Sequence, residues 1–377
     1  MDVTMREMVE LLKELVRIPS MHSRPEEIRR CVDRVADYLE GAGAAVQRLN
    51  HGGVPSVLAL PRENETLVLL MSHVDVVDAP DELFSPKERD GKLFGRGSLD
   101  DKYAVALSLV LFKNWLKRLR SQGRGLSHMP FGVLVTGDEE VGGANGVQPA
   151  LKTLRAEFGL ALDGGDLGNI VAKEKGIYRL RLTCNGRTAH GSTPWMGVNA
   201  VEKLMDDYRK IQAFFRHDAL GYDPEDHWHR TVNLGTIQAG QSINQVPDRA
   251  VAELDIRFTE HDDMPALHQE MQSAIGGELT LISHSPMFFA GETPYLDLLR
   301  QASPDSELGA EHGASDARYL SDHGIPGVVW GANGDRSFHA PDEHVDLASV
   351  AALYERVDQF LERVQARQDG KNGKRGG

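Results

Sequence analysis

An apolar run ends in a histidine and an aspartate at Leu67-Val68-Leu69-Leu70-Met71-Ser72-His73-Val74-Asp75. Consecutive apolar residues over this length are typical of a buried strand. Side chains two residues apart on a strand point to the same side, so we expect His73 and Asp75 to point the same way. The imidazole of His73 can then bind a metal ion while the Asp75 carboxylate holds its other ring nitrogen. His-x-Asp is common by chance, so its meaning depends on the rest of the chain.

Strands and helices alternate around this run. Further apolar runs predict strands at 57–60, 131–136 and 327–330. Apolar residues at helical spacing predict helices at 5–16, 103–119, 295–302 and 347–364, followed by a disordered tail at 365–377. This alternation predicts an α/β fold with a mostly parallel sheet flanked by helices. Active sites in such sheets gather at the carboxyl ends of the strands.

The pattern changes in the middle of the chain. Residues 178–184 and 250–258 alternate polar with apolar side chains, which predicts an antiparallel sheet with one solvated face. Helices are predicted at 197–215 and 264–275. We therefore predict a discontinuous domain formed by 1–172 and 287–377, interrupted by an inserted α/β domain at 173–286.

The composition excludes several classes of protein. A length of 377 residues suits two domains, and a net charge of −14 argues against nucleic acid or an anionic membrane as a partner. The two cysteines, Cys31 and Cys184, are too far apart in sequence to suggest a thiolate metal site, and they fit a reducing compartment. The first residues do not resemble a signal peptide, and no run reaches the roughly 18 apolar residues of a membrane span. We expect a cytoplasmic protein.

Histidines and carboxylates follow the apolar runs at several places. The candidates are His73, Asp100, the pair Glu139 and Glu140, Asp163 and His339. Nitrogen and oxygen donors without cysteine suit Zn²⁺, Mn²⁺ or Co²⁺. The set is too large for one tetrahedral ion with an open position. It suits two ions about 3.5–4 Å apart that share a bridging carboxylate, an arrangement found in amide hydrolases. Adjacent Glu139 and Glu140 should diverge, so that one can bind metal while the other moves a proton.

Taken together, these residues resemble a known family. It comprises the co-catalytic metallohydrolases that include succinyl-diaminopimelate desuccinylase, acetylornithine deacetylase, aminoacylase, glutamate carboxypeptidase and several dipeptidases. The resemblance extends from the first helix to Leu361. Its motifs are Ser72-His73-Val74-Asp75, Gly95 to Lys102, Asp138-Glu139-Glu140, Thr188-Ala189-His190-Gly191 and Ser337-Phe338-His339-Ala340-Pro341.

The resemblance implies a role for each candidate donor. His73 and Asp163 would hold one ion, Glu140 and His339 the other, and Asp100 would bridge the two. We expect zinc, with manganese and cobalt as alternatives. Asp166 competes with Asp163 for the fifth position, and we favour Asp163 because it directly follows an apolar run.

The resemblance also implies roles outside the metal ligands. Asp75 would orient His73, and Glu139 would be the general base that activates a metal-bridging water. The inserted domain would act as a lid and form a homodimer. In it, His190 would help to stabilise the oxyanion, and Asn244 and Arg257 would hold a substrate carboxylate.

The peptide bond after the bridging aspartate is cis in the family, so we expect a cis bond between Asp100 and Asp101. This chain has Asp100-Asp101-Lys102-Tyr103 where the family usually has Asp-Met-Lys-Gly, although Asp-Asp-Lys occurs among its dipeptidase-like members.

Three interpretations of function follow. The first is a di-metal hydrolase that cleaves N-acyl amino acids. Its alternative within the same class is a dipeptidase or carboxypeptidase that cleaves short peptides with a free C-terminal carboxylate. The second is a binding protein that kept the fold and lost the chemistry, which the complete set of candidates disfavours. The third treats the inserted domain as a dimerisation module without a catalytic role.

Overall fold

The computed structural model describes residues 2–164, 166–216 and 227–373. The helices are α1 (Val3–Val16), α2 (Pro25–Ala42), α3 (Lys102–Ser121), α4 (Val147–Thr153), α5 (Ala200–Ala213), α6 (Met264–Ala274), α7 (Pro294–Ala302), α8 (Arg318–Asp322) and α9 (Leu347–Gly373). The strands are β1 (Val46–His51), β2 (Val54–Ala59), β3 (Glu65–His73), β4 (Lys87–Arg89), β5 (Lys92–Phe94), β6 (Phe131–Thr136), β7 (Arg155–Ala161), β8 (Asn169–Glu174), β9 (Gly176–Asn185), β10 (Thr231–Ala239), β11 (Arg249–Phe258), β12 (Glu278–Ser285), β13 (Phe288–Phe289), β14 (Glu307–Glu311), β15 (Gly327–Val329) and β16 (His344–Asp346).

The chain divides into two units. The first unit comprises Met1–Lys173, Phe288–Glu311 and Ser315–Gly377, and the second comprises Glu174–Met287 and His312–Ala314. The domain boundaries predicted from the sequence lie between residues 172 and 173 and between residues 286 and 287. The prediction also assigned 312–314 to the discontinuous domain, whereas this segment groups with the second unit. There the ring of His312 lies 5.9 Å from that of Trp228.

The first unit is built on a sheet in the order β1-β2-β6-β3-β7-β15-β8-β13, with β14 paired to β8. The four central strands, β6, β3, β7 and β15, run parallel, whereas β2 joins β6 and β8 joins β15 in antiparallel pairs. The predicted mostly parallel sheet is confirmed. A smaller sheet in the order β16-β5-β4, which the sequence did not predict, lies in the same unit.

The central part of strand β3, from Leu67 to Met71, is apolar because helices cover both faces of the sheet. Val68 and Leu70 pack in one core with α1, α2, α3, α7 and α9. Leu69 and Met71 point the other way and pack with α4 and α8. Burial on both sides explains why this strand appears in the sequence as an unbroken apolar run.

The second unit contains an antiparallel sheet in the order β10-β11-β9-β12. Its apolar face packs against α5 and α6, with Leu180, Leu182, Leu254 and Ile256 in the core. The alternating residues of β9 and β11 are mostly charged and point away from that core. The alternation in the sequence therefore predicted both the pairing and the solvated face.

Helix α9 corrects one expectation. It continues to Gly373 instead of ending near 364. Both guanidinium Nη atoms of Arg124 bind the Asp369 carboxylate, at 2.9 and 3.1 Å, and Gln365 donates to the same group at 2.9 Å. These contacts hold turns that the Gly- and Lys-rich composition predicted to be disordered. The predicted tail beyond Gly373 lies outside the described residues.

Across the described part of the chain, no helix combines the length and apolar character needed to cross a lipid bilayer.

Candidate metal centre

Three parallel strands deliver side chains to one edge of the sheet. His73 is the last residue of β3, Glu139 and Glu140 form a 3₁₀ turn after β6, and Asp163 follows β7. Strand β3 pairs in parallel with both β6 and β7, so the carboxyl ends of all three strands meet. The topology thus places these side chains at the edge where active sites of such sheets lie.

Asp100 reaches the same place from the turn that precedes α3. The Glu343 carboxylate shapes this turn, because its Oε1 accepts hydrogen bonds from the backbone N–H groups of Gly97 at 2.8 Å, Leu99 at 3.1 Å and Asp100 at 3.2 Å. The Arg96 guanidinium donates to the other oxygen of Glu343. The peptide bond between Asp100 and Asp101 is cis, which confirms the expectation.

The Asp100 carboxylate lies between two histidines. His73 Nε2 is 3.0 Å from Asp100 Oδ1, and His339 Nε2 is 3.0 Å from Asp100 Oδ2. Asp163 Oδ2 lies 3.7 Å from His73 Nε2, and Glu140 Oε2 lies 3.2 Å from His339 Nε2. The structure therefore forms a first donor group (His73, Asp100, Asp163) and a second donor group (Asp100, Glu140, His339), each with its ligand atoms within 4.8 Å of one another.

The electrostatics of the two donor groups suit cations. Hydrogen bonds to Asp100 and Glu140 raise the pKa of His339 to about 10. Burial lowers the pKa of His73, but Asp163 and Asp100 raise it more, so that it lies well above the ordinary value. The carboxylates thus create a field that favours positive charge at both histidines. Oxygen and imidazole donors in that field fit divalent ions such as Zn²⁺, Mn²⁺ or Co²⁺.

Asp75 connects several parts of the site. Its Oδ1 lies 3.4 Å from Nδ1 of His73, whose nearer neighbour is the Asp75 backbone carbonyl at 3.0 Å. The same carboxylate accepts hydrogen bonds from the backbone N–H groups of Glu139 at 3.2 Å and Glu140 at 3.0 Å. His22 Nε2 lies 2.9 Å from Oδ2. Burial opposes ionisation of Asp75, yet the bonds from His22 and His73 lower its pKa to about 2.

Glu139 and Glu140 point in different directions, although they are neighbours in sequence. Glu140 belongs to the second donor group. Glu139 lies outside both donor groups and lines a narrow cavity with His73, Asp163 and Asp316. Burial and the Asp163 carboxylate raise the pKa of Glu139 well above its ordinary value. Of the two adjacent acids, only Glu140 therefore lies in a candidate donor group of the described residues.

Asp163 and Asp166 also differ. Asp163 is partly buried and belongs to the first donor group. Asp166 is exposed, and its Oδ1 accepts a hydrogen bond from the backbone N–H of Gly168 at 2.8 Å. The geometry favours Asp163 as the fifth donor.

The candidates in the second unit lie at its surface. His190 and Asn244 are exposed and close together, because the backbone N–H of Gly191 donates to the Asn244 carbonyl at 2.7 Å. His190 Nδ1 lies 2.7 Å from Ser192 Oγ, and Asn244 Oδ1 accepts from Ser242. Arg257, on β11, donates from Nε to Asp255 at 2.6 Å. Each of the three thus has a polar partner nearby in sequence.

Four residues near the site were not singled out from the sequence. They are His22, Asp101, Asp316 and Glu343. Burial and the Asp163 charge raise the pKa of Asp101 well above its usual range, and burial raises that of Asp316 to about 7. Adjacency to Asp100 could have indicated Asp101. No spacing or pattern pointed to the other three, because their relation to the site depends on tertiary packing.

Comparisons with known proteins establish the family. Residues 69–363 match the model of peptidase family M20/M25/M40. The chain belongs to this family. This M20 chain is 27% identical over 391 residues to succinyl-diaminopimelate desuccinylase of Xylella fastidiosa (strain 9a5c), covering 96% of this chain and all of the relative. Members of the family and such relatives hydrolyse amide bonds, so the chain is a hydrolytic enzyme of the same kind.

Solved structures agree on the fold. A tripeptidase from Staphylococcus aureus superposes with a TM-score of 0.77 at 20% identity, covering 96% of this M20 chain and 99% of that one. The YXEP protein of Bacillus subtilis, described as a dinuclear metal binding peptidase of the M20 family, gives a TM-score of 0.63 at 16% identity, with 96% and 99% covered. At these identities the likeness establishes the fold alone.

Proposed function

We propose that this chain is a di-metal hydrolase that cleaves the amide bond of an N-acyl amino acid, in the manner of a deacylase or desuccinylase. The observation that carries the proposal is the pair of three-residue donor groups that share Asp100. The sequence similarity to a desuccinylase over 96% of this chain and all of the relative supports the choice of substrate class.

In this proposal each donor has a defined role. His73 and Asp163 would hold one ion, Glu140 and His339 would hold the other, and Asp100 would contribute to both sites. Zinc is the expected metal, with manganese and cobalt as alternatives. Two bound ions would supply Lewis-acid chemistry, since they polarise a carbonyl and make water easier to deprotonate.

Glu139 is the proposed general base. It lies in the cavity beside His73 and Asp163 but outside both donor groups, and its backbone N–H is held by Asp75. The Glu139 carboxylate accepts a proton from the attacking water and then gives it to the leaving amine. The products are a carboxylate and a free amino group. The half-exposed side chain of His339, 49% accessible, leaves one side of the second donor group open for a substrate.

The second unit is proposed to complete the site as a lid. His190 would donate to the carbonyl oxygen as it becomes negatively charged, and Asn244 and Arg257 would bind the substrate carboxylate. The unit is also proposed to form a homodimer. Within the described residues, β10 is an edge strand of this sheet and carries the exposed Ile237. This supports the homodimer, because unpaired edge strands are sites of association.

A dipeptidase or carboxypeptidase is the second candidate, because the matching family is one of peptidases and the same site chemistry would cleave a peptide bond. A panel of N-succinyl and N-acetyl amino acids beside dipeptides, each tested with Zn²⁺, Mn²⁺ and Co²⁺, separates the two. Faster turnover of the N-acyl compounds would support the first proposal. Turnover confined to the dipeptides would replace it with the second.

The base assignment has its own test. Glu139→Gln should keep the bound metal and lower kcat by about 10²–10⁴-fold, since this is the range that a general base contributes. Metal content is measured by elemental analysis on the same sample. Near-normal turnover in this variant would refute the role of Glu139.

A further inference from the structure

The segment between α1 and α2 is bound along the loop that follows β3. Ser20 Oγ donates to the Val74 carbonyl at 2.6 Å, and the backbone N–H of Val76 donates to the Ser20 carbonyl at 3.0 Å. Ser23 Oγ donates to Asp78 at 2.7 Å, and Arg24 Nη2 donates to Asp81 at 2.7 Å. These contacts hold residues 20–24, hereafter the 20–24 segment, beside the loop that contains Asp75.

His22 is the member of the 20–24 segment that reaches the metal centre. Its Nε2 lies 2.9 Å from Asp75 Oδ2, with 31% of the His22 side chain exposed and none of Asp75. Asp75 Oδ2 also accepts from the Glu140 N–H, whereas Oδ1 accepts from the Glu139 N–H and faces His73 Nδ1. Four N–H groups therefore face the two Asp75 carboxylate oxygens. Three of them belong to His73, Glu139 and Glu140, and the fourth, from His22, lies outside the proposed metal ligands and the proposed base.

We propose that His22 is a positioning residue for the metal centre. A hydrogen bond from His22 Nε2 fixes the rotation of the Asp75 carboxylate, so that Oδ1 stays directed at His73 and at the Glu139 amide. The terminal torsion of an aspartate is soft, and a buried carboxylate that loses a donor turns toward other donors. Misdirection of Asp75 would then change both the aim of the His73 imidazole and the position of the Glu139–Glu140 turn. The inference rests on the proposed function, because it assigns His22 to the same site.

The test uses variants that differ in donor and in reach. His22→Leu removes the donor, and His22→Gln places an amide NH₂ near the position of Nε2. His22→Asn carries the same amide on a chain one methylene shorter, which falls short of Asp75. Ser23→Ala is the matched control, because it removes a bond of the same segment to Asp78 that does not lead to the metal centre.

Two quantities are measured on the full chain. The first is affinity for Zn²⁺ by competition with a chelator, and the second is kcat and KM on the best substrate of the panel. We expect His22→Leu and His22→Asn to lower zinc affinity and kcat each by about tenfold, the lower end for residues that support metal ligands, with little change in KM. His22→Gln should stay within about threefold of the wild type, and Ser23→Ala within about twofold.

The outcomes separate this inference from the proposed function. If the wild type binds two ions and turns over substrate while His22→Leu and His22→Asn match it, the positioning role is wrong and the proposed function stands. If His22→Gln and Ser23→Ala lost as much zinc affinity and kcat as His22→Leu, the positioning role would also be wrong, since such losses would indicate a general effect on the loop. If the wild type binds no pair of ions, both fail. Should His22→Leu not fold, the comparison of the Gln and Asn variants decides the matter.

Discussion

The two units place their candidate residues in opposite ways. In the first unit, side chains far apart in sequence converge on Asp100, and most of them are at least partly buried. In the second unit, His190, Asn244 and Arg257 are exposed or partly exposed, and each contacts a residue two positions away. Burying several carboxylates together costs several kcal/mol per ion unless cations compensate them. Surface pairs cost little and therefore say little about function.

The meeting of distant, partly buried side chains at Asp100 is thus a stronger indication of a functional site than the local surface pairs of the second unit. A buried acidic cluster persists only if something neutralises it, and the two donor groups have the atoms to hold divalent cations. The polar residues of the second unit need no such explanation. Their proposed roles depend on the family resemblance, so experiments on the two units should give effects of different size.

The largest effect is expected at the shared carboxylate. Asp100→Asn removes an anionic donor from both groups, so it should lower the affinity for both ions together and reduce kcat/KM by at least about 10³-fold, as expected when several kcal/mol of transition-state stabilisation are lost. Metal titration and kinetics on one preparation check this. Loss of one ion with the other retained at full affinity would show that Asp100 does not bridge.

A matched pair of aspartates sharpens the contrast within the first unit. Asp163→Asn should weaken metal binding and lower kcat by at least about 100-fold, because a direct donor matters no less than the residues that support one. Asp166→Asn, at the exposed position, should stay within about twofold. The same chelator competition measures both. The reverse ranking would move the fifth ligand to Asp166.

In the second unit, the comparison is between two arginines of one sheet face. Arg257→Ala should raise KM by about 10–100-fold, since a hydrogen bond to a charged group is worth about 1.5–3 kcal/mol. Arg181→Ala removes an exposed arginine that donates to Glu253 at 2.8 Å, and it should change KM by less than about twofold. Equal effects would leave Arg257 as a surface residue, with the second unit outside the chemistry.

Metal binding should also depend on pH. The pKa of His339 is raised to about 10 by Asp100 and Glu140, so without metal this imidazole holds a proton at neutral pH. A cation must displace that proton. Affinity should therefore rise with pH, by about tenfold per pH unit for each proton released, up to the raised pKa. Isothermal titration between pH 6 and 8 in buffers of different ionisation enthalpy gives the number of protons. Affinity that is independent of pH would contradict the role of His339.

Much of the first unit could be predicted from the sequence. Unbroken apolar runs indicated β3 and β6, and residues that follow strand ends indicated His73, Glu139, Glu140 and Asp163. Alternating patterns likewise indicated β9 and β11. The strand predictions are confirmed, because burial on one or both faces of a strand determines which of its residues are apolar. The roles of the four residues stay predictions.

Other features could not be predicted because they depend on contacts between distant segments. Glu343 shapes the turn before Asp100 from more than 240 positions away. His22 reaches Asp75 through a loop that has no periodic pattern. The extension of α9 depends on Arg124 binding Asp369. A single sequence gives no sign of which polar residues will meet in this way.

The most direct test of the two-ion centre is the number of metal ions bound per chain. The protein is stripped with a chelator, titrated with Zn²⁺ and weighed by native mass spectrometry, with Asp100→Asn as the control. We predict two zinc ions per wild-type chain and loss of both at the same free zinc concentration in the variant. One ion or none in the folded wild-type chain would contradict it.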